Sequence, residues 1–270
     1  MIRKLYTQIG WGKFLLLLAF SVAFGLSERT SGASVLSAHV LAALNDQYYF
    51  IFAVLPILLF ICGSVMEDDA EIVIFRYGTY SRYFAAKWRS LGMLCSGLWL
   101  AQIVVLFLTG LGLQVTANEW DNLTGGSLLK EIVPLLAEHF SGPWQALLCT
   151  AVFLLMGYWL ISLLALWLGH FLSQSYAIKV LLTLYVLSVL SIKLPIMSEP
   201  PLCYWTGLNH WILLLHNLAE NWRFPLTVIV TVLFVTAVAY TIRNSWRHIP
   251  FTRKAPSGLV AYYRRLLFSK

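Results

Sequence analysis

Chemistry in a protein needs polar side chains held in register, and this chain concentrates its carboxylates in one place. The stretch Glu67-Asp68-Asp69-Ala70-Glu71 runs directly into Ile72-Val73-Ile74-Phe75-Arg76-Tyr77-Gly78. Asp68 and Asp69 are adjacent, so on a helix they point apart and form no acid–base pair. Acids at the head of a helix are favoured by the positive end of its dipole. Ile72 and Phe75, three apart, give that helix an apolar face, and Tyr77-Gly78 closes its last turn. A second helix is expected from Ser81, returning the chain to the membrane through Arg82, Lys87 and Arg89. His210 and His216 stand about 600° apart on a helix and share no face. No Gly-x-Ser-x-Gly or His-Glu-x-x-His occurs, and Gly10-Trp11-Gly12-Lys13 lacks the spacing and the hydroxyl of a phosphate-cradling loop. The chain is therefore expected to hold no nucleotide, no metal and no catalytic residue of its own. Cys62, Cys95 and Cys149 fall in apolar runs and Cys203 in a loop, without metal-ligand spacing or a disulfide framework. Helix packing is the expected role of the first three.

The elements that position these residues follow from composition. Of 270 residues, 59% are apolar and 11% charged, against roughly 25% charged in an average soluble domain. A single soluble core cannot hide that much apolar surface, whereas a bilayer can serve as its solvent. The 11 Trp and 13 Tyr suit helix ends at the headgroup level. Six apolar stretches stand out, Trp11–Leu26, Tyr48–Met66, Ser90–Val115, Ala146–Gly169, Ala177–Met197 and Pro225–Ile242. The first is short and follows Arg3, Lys4 and Lys13, in the manner of a signal peptide; it is expected to remain as a span.

Charge sets the expected orientation. Of the 19 Lys and Arg, all but Arg29, Lys130, Lys193 and Arg223 fall before span one, between two and three, between four and five, or after six. That excess predicts both termini in the cytoplasm of a multi-pass cell-membrane protein. Because the basic residues flank apolar spans, nucleic acid is a poor partner for the net charge of +7. The predicted fold is thus all-α, one transmembrane domain over 1–270, with an interfacial helix at 1–12 and a basic tail at 243–270. Outside, Ala33–Leu44 reads as a helix rich in small residues and Leu128–Phe140 as an amphipathic surface helix. Residues 198–224 hold Pro200-Pro201 and the apolar run Trp211–Leu215, long enough to dip into the bilayer and return. Lys13, Lys179 and Lys193 lie near span ends and can snorkel. The near-absence of midplane charge argues against proton or sodium coupling within the chain. Pro56 is placed to kink span two, and Gly92-x-x-x-Ser96 to mark a close helix contact.

Two readings stand for the helix through residues 72–78. It lies on the inner leaflet as an interfacial helix, or it projects an apolar and aromatic face that another protein covers. Here the chain resembles the membrane subunits of type-2 ABC exporters, above all small bacterial ones of peptide or bacteriocin export and immunity. The resemblance rests on the basic start Met1–Lys13, the acidic-then-aromatic loop with Phe75-Arg76-Tyr77-Gly78, the tight hairpin of spans four and five, and the broken segment Pro200–Phe224. It implies that Glu71, Ile72, Phe75, Arg76, Tyr77 and Gly78 form a coupling helix gripped by a separate ATP-binding cassette ATPase. It also implies a re-entrant outer segment with Pro200, Pro201, Trp205 and Trp211, and a second permease subunit. ATP and Mg would be held by the ATPase, membrane lipids would surround the spans, and an amphipathic peptide or lipid-like substrate would move outward. The alternatives are a membrane-embedded protease and a non-transporting membrane sensor or assembly protein.

Overall fold

The computed structural model describes residues 10–30, 35–66, 77–115, 119–120, 127–193 and 207–244. The expected interfacial helix falls almost wholly outside these, as does the basic tail. The described elements are Trp11–Thr30 (α1), Leu36–Asn45 (α2), Gln47–Gly63 (α3), Tyr80–Thr109 (α4), Ser127–His139 (α5), Pro143–Phe171 (α6), Gln174–Lys193 (α7), Asn209–Ile212 (α8), Leu214–Leu218 (α9) and Arg223–Arg243 (α10). Among the described residues there is no strand, only an isolated parallel bridge between Val35 and Gln114.

Five of these helices, α1, α4, α6, α7 and α10, are long and apolar enough to cross about 30 Å of hydrocarbon. Helices α2 and α3, bent by 49° against each other, make a sixth crossing if taken together. Large apolar side chains face outward along them, Phe60 at 69% exposure and Leu233 at 64%, an arrangement that lipid stabilises and water would not. The chain is an all-helical membrane protein.

Contacts between helix ends give the crossings alternating directions. The Lys13 ammonium reaches the Ser64 hydroxyl and the Phe60 carbonyl, tying the start of α1 to the end of α3. Arg29 Nη1 donates to the Thr109 carbonyl at 3.0 Å, joining the ends of α1 and α4. Gln174 Nε2 donates to the Gly63 carbonyl at 3.2 Å, and Trp167 Nε1 to Thr241 Oγ1 at 2.9 Å. Residues 10 and 244 therefore share one face, called proximal below, and α5 lies toward the far face. Helix α6 is central. Over half of its apolar window is buried in protein, against 17% for α1, α7 and α10, and it packs on α2, α3, α4, α7 and α8.

Helix α4 begins at Tyr80, next to the expected start at Ser81, and runs on into the third span as one helix, capped by Thr79. At 1.5 Å per residue its 30 residues reach about 45 Å, so its first turns carry Arg82, Lys87 and Arg89 beyond the hydrocarbon. Helix α2 is buried along Ser37–Asn45, with α5 closing over it through Leu129 and Ile132 against Val35, Ala38 and Ala42. Its small residues allow neighbours that close on several sides. Pro56 produces a wide turn: Phe50–Val54 is a π-helix in which the Leu55 N–H bonds the Phe50 carbonyl. Proline has no N–H to donate and crowds the carbonyl four residues back, and widening the turn relieves that clash.

Candidate functional site

Tyr77 and Gly78, the described part of the expected coupling segment, sit at the proximal mouth of α3, α4 and α6. Tyr77 is helical, and Gly78 leaves the helix at φ +74°, a left-handed conformation open to glycine without a Cβ clash. Thr79 Oγ1 then accepts from the Arg82 N–H at 3.4 Å and starts α4. The half-buried Tyr77 ring packs edge-on against Tyr83, centroids 5.8 Å apart. Glu71, Ile72, Phe75 and Arg76 lie outside the described residues.

Behind this turn is a small cavity lined by Met66, Tyr83, Lys87, Gly169 and others, with Tyr80 Oη 2.9 Å from His170 Nδ1. Lys87 is only 3% exposed and stands 5.7 Å over the Tyr83 ring centroid, where the ring quadrupole favours its charge. Sequence alone placed Lys87 among the loop cations. Its burial follows from the early start of α4, which turns residue 87 toward α6.

One level deeper, a directed chain of hydrogen bonds crosses four helices. Tyr158 Oη donates to Gln102 Oε1 at 2.7 Å, and Gln102 Nε2 donates to Tyr49 Oη at 2.6 Å. Tyr49 Oη and Ser21 Oγ are 2.7 Å apart, and Ser21 Oγ donates to the Leu17 carbonyl at 2.8 Å. All four side chains are fully buried. Each polar atom left unpaired there would cost about 1–3 kcal/mol, so the chain holds α1, α3, α4 and α6 in one register. Cys62 of α3 and Cys95 of α4 are buried in the apolar core as free thiols. Gly92 and Ser96 seat Trp159: a Cβ on Gly92 would come within 2.7 Å of its ring, and Trp159 Nε1 donates to Ser96 Oγ at 2.9 Å. The Gly92-x-x-x-Ser96 spacing is thus the α4–α6 contact.

The second candidate region is α8–α9. Trp211, singled out from sequence, is buried, and its carbonyl lies against Gly157, the middle residue of α6, where a Cβ would meet it at 2.2 Å. The helix breaks at Leu213, whose backbone is extended. A break within apolar surroundings strands carbonyls, and Asn217 Nδ2 takes two of them, His210 at 2.9 Å and Leu213 at 3.1 Å. Thr227 of α10 hydrogen-bonds the other end of that amide. Asn209 Nδ2 bonds the Ser188 carbonyl and Ser191 Oγ of α7 at 2.9 and 2.7 Å. Because of the break, His210 and His216 lie on different short helices, so the spacing argument for one continuous helix does not apply to them. Pro200, Pro201 and Trp205 lie outside the described residues. Asn209 and Asn217 carried no sequence signal, since their partners are set by the fold. Comparison with known proteins adds no relative: no protein-family model, no curated protein and no solved structure matches the chain.

Proposed function

We propose that the chain is the membrane-spanning subunit of an ATP-driven exporter, paired with a second permease subunit and driven by cytoplasmic ATPase subunits that hold ATP and Mg. The observation carrying this reading is the junction at Tyr77–Thr79. Tyr77 stands two residues ahead of the 30-residue α4, and the Tyr77–Tyr83 contact removes slack from the joint. Force applied before Tyr77 then reaches α4, and Gln102 passes it to α1, α3 and α6.

The charge distribution supports a cytoplasmic proximal face: Lys13, Arg82, Lys87, Arg89, Lys179 and Arg243 lie toward it, Arg29, Lys130 and Arg223 toward the other. Closure of two ATPases on ATP would tilt the spans of two permease subunits against each other. The substrate in this reading is amphipathic or lipid-like, a peptide among the candidates, and it leaves past the segment that bears Trp211.

The test is a pair of variants, Phe75→Ala alone and Phe75→Ala with Tyr77→Ala, expressed in the native membrane. Both are expected to lose the co-purifying ATPase and ATP-driven export while the chain keeps its melting temperature to within a few degrees. Unchanged co-purification and export in the double variant would remove the docking role.

A further inference from the structure

Among the described residues, four buried polar atoms without a hydrogen-bond partner lie on α2 and on a helix that packs against it. Ser37 Oγ, His39 Nδ1 and Asn45 Oδ1 lie on the ten residues of α2, and Thr150 Oγ1 lies on α6, against which α2 packs. None of the four residues is more than 2% exposed. Folded proteins pair roughly nine in ten such groups or more. Three exceptions on one short helix mark an element held in a place that costs it hydration.

The connections of α2 suit movement. Asp46, with extended backbone, separates α2 from α3 at the 49° bend. The π-turn Phe50–Val54 follows, and Pro56 beyond it supplies no N–H that would reward a regular α-helix. The Leu36 N–H donates to the Gln114 carbonyl at 2.9 Å at the start of α2, and two side chains hold the closed position from the side. Tyr49 bonds Ser21 and Gln102, and His39 Nε2 lies 3.0 Å from Thr109 Oγ1. Burial of Val40, Leu41 and Leu44 adds to them. Opposing both is the hydration that the four unpaired atoms would gain on opening.

We propose that α2 and the first turn of α3 form a gate on the far face, hinged at the π-turn before Pro56 and latched by the Tyr49 hydroxyl. Opening carries α2 away from α6 and lets water reach Ser37, His39, Asn45 and Thr150. Nothing in this requires a nucleotide-hydrolysing partner, so the gate stands or falls separately from the export reading.

The reporter is Ala43→Cys, fully buried in the closed gate, in a full-length chain whose Cys62, Cys95, Cys149 and Cys203 are replaced by Ala. A membrane-impermeant maleimide added at the far face is expected to label it slowly. Tyr49→Phe, which removes both hydrogen bonds of the latch, should speed labelling by at least about fivefold, the factor one such bond carries. Ser37→Ala with Thr150→Val, which deletes two unpaired atoms, should slow it. Equal rates in all three chains, or no labelling in any, would overturn the gate. Hydrogen exchange on the unaltered protein decides the matter should the reporter chain fail to fold. The gate requires α2 amides to exchange faster than those of the equally buried centre of α6, and equal protection would overturn it.

Discussion

Gln102 is the residue on which four helices depend, since its amide takes one tyrosine and gives to another. Hydrogen bonds between membrane helices average only about 0.6 kcal/mol by double-mutant cycles. Gln102→Leu, however, removes both ends of a relay and leaves the Tyr158 donor unpaired in an apolar interior. That outcome sits nearer the cost of an orphaned group, so a loss of about 2 kcal/mol is expected. A denaturant melt in detergent measures it, and an unchanged midpoint would show that the relay holds nothing. Sequence could not point to Gln102, because its partners lie 53 and 56 residues away in the chain. The turn at Gly78 was legible because its cause is local: a glycine free to take a positive φ. Trp211 was singled out as an aromatic in an apolar run, while the break two residues later was not, since Leu213 carries no breaker signal.

At the scale of the element, close approach separates two glycines that look alike in sequence. Gly157 has the Trp211 carbonyl where its Cβ would stand, whereas Gly97 has nothing within 4 Å. Gly157→Ala must push α8 away from α6 and is expected to cost about 1–3 kcal/mol. Gly97→Ala should be neutral or stabilising by up to about 1 kcal/mol, through helix propensity. Thermal melts of the two variants in the same detergent check this, and equal midpoints would mean that α8 is not seated on α6. Span positions were readable from apolar runs to within a few residues at most ends. Helix α4 was readable in two pieces, a helix from Ser81 and a span from Ser90, which the structure joins into one. The burial of α2 was not readable, because Ala33–Leu44 lacks the one-sided periodicity that tells a surface helix from an enclosed one.

For the whole molecule, the alternating crossings and the basic proximal face are consequences of composition and charge, and these were the most legible features. The ring of helices around α6 was not legible, since lipid and protein reward the same apolar side chains and hydropathy cannot tell which face meets which. The export reading asks more of the molecule than its topology. Residues before Tyr77 must receive force from a companion that hydrolyses ATP, and the set α1, α3, α4 and α6, joined through Gln102 while Tyr49 is latched, must carry it. Purification of the unaltered chain from its native membrane, with its companions identified by mass spectrometry, tests this most directly. The account predicts that a protein with a phosphate-cradling Gly-Lys-Ser/Thr loop comes with it in stoichiometric amount and hydrolyses ATP; a chain that emerges alone, or with partners that bind no nucleotide, contradicts it.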